Sequence, residues 1–261
     1  MTKDDLIFFK DWFSHYVKSF YSLDVEDQKN ISLKEKHTSH VCKNIIEITN
    51  ELNLGDRDIM LAETAALFHD IGRFPQYAKY KTFKDAISVN HGFLGAKTLL
   101  GEKILQKLPD DEQKLIIKAV RFHNAFSIPK KEREEIVFFI KLLRDADKLD
   151  IWRVFIEYYE SPKGGRASAV GLGLLDTADY SQEIISHIDR GQMASQSKLK
   201  NLNDFKLMQL SWIYDINFKP SFRLLSERNY IDKIVSQLPN KEEIKSAVLS
   251  LKKYVQMRLN D

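Results

Sequence analysis

A histidine–aspartate pair follows an apolar run in the first half of the chain. His69 and Asp70 come directly after the residues AALF at 65–68, and Gly72 follows at a position that ends a helix. Ionisable side chains delivered by an apolar helix are costly to bury unless they are paired or bind a metal. Neutral imidazole and carboxylate together suit zinc, iron, manganese or nickel. The pair therefore predicts a metal site.

Further histidines and aspartates lie on both sides of this pair, each in a stretch with helical periodicity. His37 and His40 precede it, His91 and His123 follow it, and the run DADKLD occupies 145–150. The sequence distance between one of these motifs and the next leaves room for about one helix–turn–helix step. Ligands from several helices can then converge in the core of a helical bundle.

In this order the motifs resemble those of the HD-domain superfamily of metal-dependent phosphohydrolases, over about residues 31–160. An early histidine, the doublet in HDIGR at 69–73 and a late aspartate match the family pattern, and the two intervening histidines resemble the subgroup with a dinuclear site. The resemblance implies one or two divalent transition metals, with Mn, Fe, Ni, Zn or Mg as the alternatives. The ligands it implies are His37, His69, Asp70, His91, His123 and Asp147.

The residues around these ligands are expected to contact the substrate. Arg73 follows the doublet, and its guanidinium matches phosphate geometry, although a surface salt bridge is the alternative. Lys148 stands where nucleotide-cleaving relatives place a phosphate-binding lysine. We expect Asp70, Arg73 and Lys148 to be catalytic, and Arg73, Lys148, His40 and Asn124 to bind substrate. Asn124 has a second possible role, which is to fix the neighbouring histidine.

The function that the resemblance implies is hydrolysis of a phosphate ester or anhydride by metal-activated water. The substrate would be a nucleotide or another small phosphorylated metabolite. No protein nucleophile is required, and the sequence shows no nucleophile motif. The alternative on the same ligands is an HD-fold diiron oxygenase that acts on a small molecule. A regulatory module with a vestigial site is a third possibility, against which the intact ligand set argues.

The elements that must position these residues are helices. Apolar residues recur at intervals of three and four along most of the chain. The predicted helices cover about 6–20, 32–52, 58–69, 86–105, 112–122, 132–159, 184–188, 207–214 and 241–259. The run at 137–140 is also compatible with a short buried strand, but it lies inside a helical pattern. The sequence thus predicts an all-α fold, an HD-domain helical bundle with additional N- and C-terminal helices.

We expect one domain over 1–261, with an HD-like core at about 31–160 and a C-terminal helical extension at about 174–261. The segment 161–173 holds four of the ten glycines and breaks the helical rhythm. It is expected to be a loop. It is either a simple connector or a mobile basic flap near the site.

Charge and cysteine content narrow the class of protein. The chain has 40 basic and 37 acidic residues, for a net charge of +3, which is too mild to indicate a nucleic-acid or membrane partner. The single cysteine, Cys42, excludes an intrachain disulfide framework and fits a reducing compartment. No apolar run approaches the roughly 20 residues that span a bilayer. We therefore expect a cytoplasmic protein whose partner is a small phosphorylated substrate.

Overall fold

The computed structural model describes residues 1–161, 170 and 173–260, and this part of the chain is helical. Within it there is no strand, and Leu175 and Asn201 form an isolated parallel bridge. The predicted all-α fold is confirmed, and residues 137–140 are helical. The α-helices are α1 Lys3–Lys18, α2 Val25–Glu51, α3 Asp56–Phe68, α4 Arg73–Tyr80, α5 His91–Gly101, α6 Asp110–Phe122, α7 Glu134–Glu160, α8 Gln182–Asp189, α9 Leu202–Ser211, α10 Lys219–Glu227, α11 Tyr230–Val235 and α12 Glu242–Asn260.

The chain divides into two compact units. Among the described residues, the first unit comprises Met1–Asp150 with Val170, and the second comprises 151–161 and 173–260. All of the predicted ligands belong to the first unit. The organisation as a single domain, with a core and a C-terminal extension, stays a prediction.

Helix α3 lies at the centre of the first unit. Every residue from 61 to 72 is buried, and α3 packs against α1, α2 and α6. A helix that is covered on all sides is apolar all round rather than along one stripe. This explains the apolar run before the His–Asp pair. It also means that the end of α3 delivers His69 and Asp70 into the core.

Aromatic side chains fix α1 against α3. The ring of Phe68 meets the rings of Phe9, Trp12 and Phe13 in edge-to-face contacts, with centroids 5.7, 6.0 and 6.4 Å apart. Such pairs contribute roughly 0.5–1.5 kcal/mol each beyond the burial of their surface. The apolar stripe of α1 is thus the face that closes one side of the site-bearing helix.

Three predicted helices begin at least five residues from the expected position. Helix α9 starts at Leu202 and not at about 207. Helix α2 starts at Val25 because Asp24 caps it, and the Asp24 carboxylate accepts a hydrogen bond from the Asp27 amide at 2.8 Å. Helix α5 starts at His91, after a 3₁₀ turn at Asp85–Ile87, because Asn90 caps it through the Phe93 amide. His91 is therefore the first residue of its helix.

Helices α10 and α11 are absent from the sequence prediction, and so is helix α4. It contains Pro75 at its third position, where the chain has no need of an amide hydrogen because the first turn lacks intrahelical acceptors. The helix ends at Tyr80, and the next residue, Lys81, has a left-handed backbone with φ of 53°. The short connection that follows, residues 81–90, leads from α4 into α5.

The second unit is organised around α9, which is buried along its whole length. Helix α9 packs against α8 and α11, and α12 packs against α8 and α10. Trp152, in the part of α7 that belongs to this unit, donates its indole hydrogen to the Gln209 carbonyl at 3.1 Å.

The predicted loop at 161–173 lies mostly outside the described residues, which omit 162–169 and 171–172. Its assignment as a connector or a basic flap therefore stays a prediction. Among the helices that the structure describes, none is both long enough and apolar enough to cross a membrane.

Candidate metal centre

Residues from five helices bring the six predicted ligands together within the first unit. His37 lies within α2 and Asp147 within α7, whereas the histidines of α3, α5 and α6 lie at helix ends. His69 and His123 are the C-terminal caps of α3 and α6. All four histidines are buried, and Asp70 is buried with them.

One group of donors forms around His37, His69 and Asp70. The Nε2 atoms of the two histidines are 3.2 Å apart, and each lies 3.6 Å from Asp70 Oδ2. Asp147 adds Oδ1 at 3.0 Å from His37 Nε2 and 3.6 Å from His69 Nε2. Two imidazoles and two carboxylates thus face one point, which we name the first group.

A second group forms around the other oxygen of the same carboxylate. Asp70 Oδ1 lies 3.4 Å from His91 Nε2 and 3.9 Å from His123 Nε2, and these two nitrogens are 3.1 Å apart. Each of the two sets, His37 with His69 and Asp70 and Asp70 with His91 and His123, has donor atoms within 4.8 Å of one another. Asp70 is shared by both.

The outer nitrogen of every imidazole is held by an acceptor. His69 Nδ1 and His123 Nδ1 each donate to a carbonyl oxygen three residues earlier, both at 2.7 Å. His37 Nδ1 donates to Asp150 Oδ2 at 2.6 Å, and His91 Nδ1 donates to Asp85 Oδ2 at 2.7 Å. Because the proton is on Nδ1, a neutral imidazole presents its Nε2 lone pair to the group. This is the tautomer that binds a metal through Nε2.

The protonation of three histidines agrees with this tautomer. Burial lowers the pKa of His69 and of His91. Burial, with the neighbouring histidines, lowers the pKa of His123 to about 3. These imidazoles are neutral at neutral pH, so that the nitrogens of His91 and His123 face each other as two lone pairs. That arrangement is repulsive unless a cation lies between them.

His37 differs because carboxylates surround it. Burial works to lower its pKa, and so does the charge of Lys34, but the hydrogen bonds to Asp147 and Asp150 outweigh both and raise the pKa of His37 to about 9. This direction favours a proton on His37 Nε2, which lies 3.0 Å from Asp147 Oδ1. The carboxylates of the first group thus favour a positive charge at the place where its donors converge, and a bound metal would replace that proton.

Cations hold Asp70 in its charged form. Burial alone would raise the pKa of Asp70, but Lys34 and the other cationic neighbours hold it well below its usual range. Lys34 Nζ lies 2.7 Å from Asp70 Oδ2, and Arg73 Nε lies 3.4 Å from Asp70 Oδ1. A cationic side chain thus compensates the negative charge of Asp70 at each of its two oxygens.

The donor set fits divalent transition metals. Imidazole nitrogen and carboxylate oxygen are the ligands that such ions prefer in proteins, and their outer atoms are fixed by hydrogen bonds as metal ligands require. The first group offers two nitrogens and two oxygens, and the second offers two nitrogens and one oxygen. Neither group contains a thiolate, since Cys42 is buried elsewhere and hydrogen bonds toward the Glu63 carbonyl.

The four other residues expected at the site occupy different surroundings. Arg73 pairs with Asp85 at 2.9 Å, and its side chain is only 14% exposed, so the surface salt bridge considered for it is instead a nearly buried one. Asn124 Nδ2 also donates to Asp85, at 3.2 Å. Lys148 is buried on α7 beside Asp147. His40 is half-buried and bonds the Lys36 carbonyl of its own helix at 2.8 Å, outside both groups.

Three residues of the centre are not among those that the sequence motifs predict. Lys34 and Asp150 each lie one helical turn from a predicted ligand, on the same helix face, so helical spacing was a signal for both. Asp85 has no such signal. It reaches His91 only because the 3₁₀ turn folds back over the start of α5.

These features define a helical domain in which one carboxylate is common to two groups of donors that could each hold a metal ion. Residues 35–152, somewhat less than half of the chain, match the family model for the HD domain, and both groups of donors lie within this match. The predicted HD bundle with flanking helices is thereby confirmed. No curated protein and no solved structure matches the chain.

A close approach at Gly72 holds the two groups in register. A Cβ atom at this position would lie 2.3 Å from the His91 carbonyl oxygen and 2.6 Å from the Gly95 nitrogen. Both are main-chain atoms, so no side-chain movement can relieve the contact. The turn that carries Asp70 therefore touches the first turn of α5 directly.

Gly72→Ala is expected to push α5 away from this turn. We expect a loss of about 1–3 kcal/mol in the free energy of unfolding, the usual cost of overpacking, together with weaker metal binding. Urea unfolding and metal titration measure the two effects. Gly101→Ala is the matched control, because it lies at the end of the same helix with no atom within 4 Å of its added Cβ. Equal stability of the two variants would contradict the expectation.

Proposed function

We propose that this protein hydrolyses a phosphate ester or anhydride of a nucleotide or another small phosphorylated metabolite. The observation that carries the proposal is the Asp70 carboxylate, whose two oxygens each face a pair of imidazole Nε2 atoms. Two adjacent cation-binding groups of this kind suit the transfer of a phosphoryl group to water. The match of residues 35–152 to the family model for the HD domain supports the same reaction class.

The first group would hold one ion and the second group the other. The ligands proposed are His37, His69, Asp70, His91, His123 and Asp147. When bound, divalent ions supply Lewis acidity that makes water nucleophilic at neutral pH and neutralises phosphoryl charge. Mn, Fe, Ni, Zn and Mg are the alternatives for their identity.

The chain itself supplies positive charge for the phosphoryl group. The Lys34 ammonium lies against Asp70, and its side chain is 16% exposed, so it borders both the shared carboxylate and solvent. Arg73 lies on the other side of the same carboxylate. We propose that Lys34, Arg73 and Lys148 stabilise the charge that develops on the phosphoryl oxygens.

Two amide or imidazole side chains complete the proposed substrate contacts. Asn124 lies beside the second group, where its amide bonds Asp85. His40 hydrogen bonds to its own helix, and its substrate contact rests on the sequence pattern alone. The diiron oxygenase is the competing function, because it would use the same six ligands.

Metal content is the first test. Purified protein should hold about two ions per chain after reconstitution. Asp70→Asn should lose most of both ions, because Asp70 faces both groups, and His91→Ala should keep about one. Elemental analysis after gel filtration gives the counts. His15→Ala is the matched control, since His15 is exposed on α1 and should keep the full content. Metal-free wild-type protein would overturn the proposal.

Phosphate release separates hydrolysis from oxygenation. We expect release from at least one nucleotide or phosphoester without oxygen, with Mn²⁺ or Mg²⁺ as the sole metal, because Lewis-acid activation of water needs no electron transfer. A substrate panel read by a phosphate assay in an anaerobic chamber is the measurement. A product formed only with iron and oxygen, and no phosphate, would establish the oxygenase instead.

Lysine variants test the phosphate contacts. Lys34→Met and Lys148→Ala should each lower kcat/KM by roughly 10- to 100-fold, from the loss of a charged hydrogen bond of about 1.5–3 kcal/mol. Neither should lower the metal content, because an ammonium group is not a ligand. Lys29→Met is the control, as Lys29 is an exposed residue of α2 that pairs with Glu26. Rates equal to that control would exclude both lysines from substrate binding.

A further inference from the structure

The two groups of donors share a pattern in the way their imidazoles are held. In each group one histidine donates its Nδ1 hydrogen to a main-chain carbonyl, and the other donates to a carboxylate. The carboxylate is Asp150 for His37 and Asp85 for His91. Imidazole that is hydrogen-bonded to a carboxylate is a more basic ligand than imidazole bonded to an amide carbonyl.

The two carboxylates stand on different kinds of structure. Asp150 lies in α7, one turn after Asp147, and is fully buried, so it belongs to the same rigid element as a ligand of the first group. Asp85 lies in the 3₁₀ turn between α4 and α5, and its side chain is 28% exposed. The second group therefore depends on a connection at the surface.

Asp85 is the centre of a hydrogen-bond network. Its Oδ2 accepts from His91 Nδ1 at 2.7 Å and from Asn124 Nδ2 at 3.2 Å. Its Oδ1 accepts from Arg73 Nη1 and from Gln76 Nε2, both at 2.9 Å. These donors come from α4, α5 and the end of α6, so the carboxylate joins three elements around one imidazole.

The charge of Asp85 matters because the second group is poor in carboxylates. Asp147 belongs to the first group, and the second has only Asp70 Oδ1, beside which lies the Arg73 guanidinium at 3.4 Å. Without Asp85, the positive charge of Arg73 would oppose a divalent cation in the second group. Asp85 thus orients the His91 imidazole and also neutralises the nearest cation.

We propose that Asp85 is a positioning residue that sets the affinity of the second group for its metal ion and leaves the first group unaffected. The proposal rests on the dinuclear site proposed above. It assigns the connection 81–90 to the assembly of one of the two ion sites. By the same reasoning, Asp150 serves the first group.

The test is a metal titration of Asp85→Asn. Asparagine keeps the shape of the side chain but removes the charge and one acceptor, so metal binding at the second group should weaken by roughly 10- to 100-fold. Metal binding at the first group should stay as in the wild type. Calorimetric titration with Mn²⁺ resolves the two events, and circular dichroism checks that the helices are intact.

Two variants make the assignment specific. Asp150→Asn is the matched change in the first group, and it should weaken metal binding at that group and leave binding at the second group unchanged. In protein that also carries His123→Ala, which disables the second group, Asp85→Asn should have no further effect on the remaining event. Weakening of both events by Asp85→Asn, or of neither, would overturn the proposal.

A measurement on the wild type keeps the proposal testable if the variant does not fold. In Co²⁺-loaded protein, the Nδ1 hydrogen of His91 should give a hyperfine-shifted proton resonance that exchanges slowly with water and appears when the second group is filled. Its absence would overturn the proposal. Wild-type protein that binds two ions but releases no phosphate would overturn the hydrolase and leave the role of Asp85 intact.

Discussion

The structure of the first unit depends on the burial of the Asp70 carboxylate. A charged carboxylate in a helical core is strongly unfavourable unless cations and hydrogen-bond donors surround it. Lys34 and Arg73 approach it from opposite sides, and four imidazoles face its two oxygens. These groups come from separate helices, so the burial of Asp70 is tolerated only when those helices pack around α3. The same packing assembles the site.

Most of the helices follow from the sequence because apolar periodicity survives wherever one face of a helix is buried. Three of the exceptions have local causes. Helix α4 contains Pro75 in its first turn. A proline suggests that no helix is present, although it is tolerated in a first turn. The starts of α2 and α5 depend on the capping side chains Asp24 and Asn90, which the periodicity of the following residues does not reveal.

The ligands of the site are more predictable than their supporting residues. His37, His69 and Asp147 stand in motifs whose order resembles a known family, and the structure brings them within reach of one another. Asp85 could not be predicted, because its contact with His91 depends on how the connection between two helices folds back. The path of that connection is set by the packing of α4, α5 and α6 together and not by a local sequence motif.

The spread of the ligands along the chain has a consequence for folding. The donors lie between His37 and Asp147, so the centre does not exist until nearly the whole first unit has closed on itself, and no short fragment can reproduce it. An ion that binds only this closed state shifts the folding equilibrium by mass action, with an effect that grows with the logarithm of its free concentration. The supply of metal in the cell would then govern the lifetime of the folded protein as well as its chemistry.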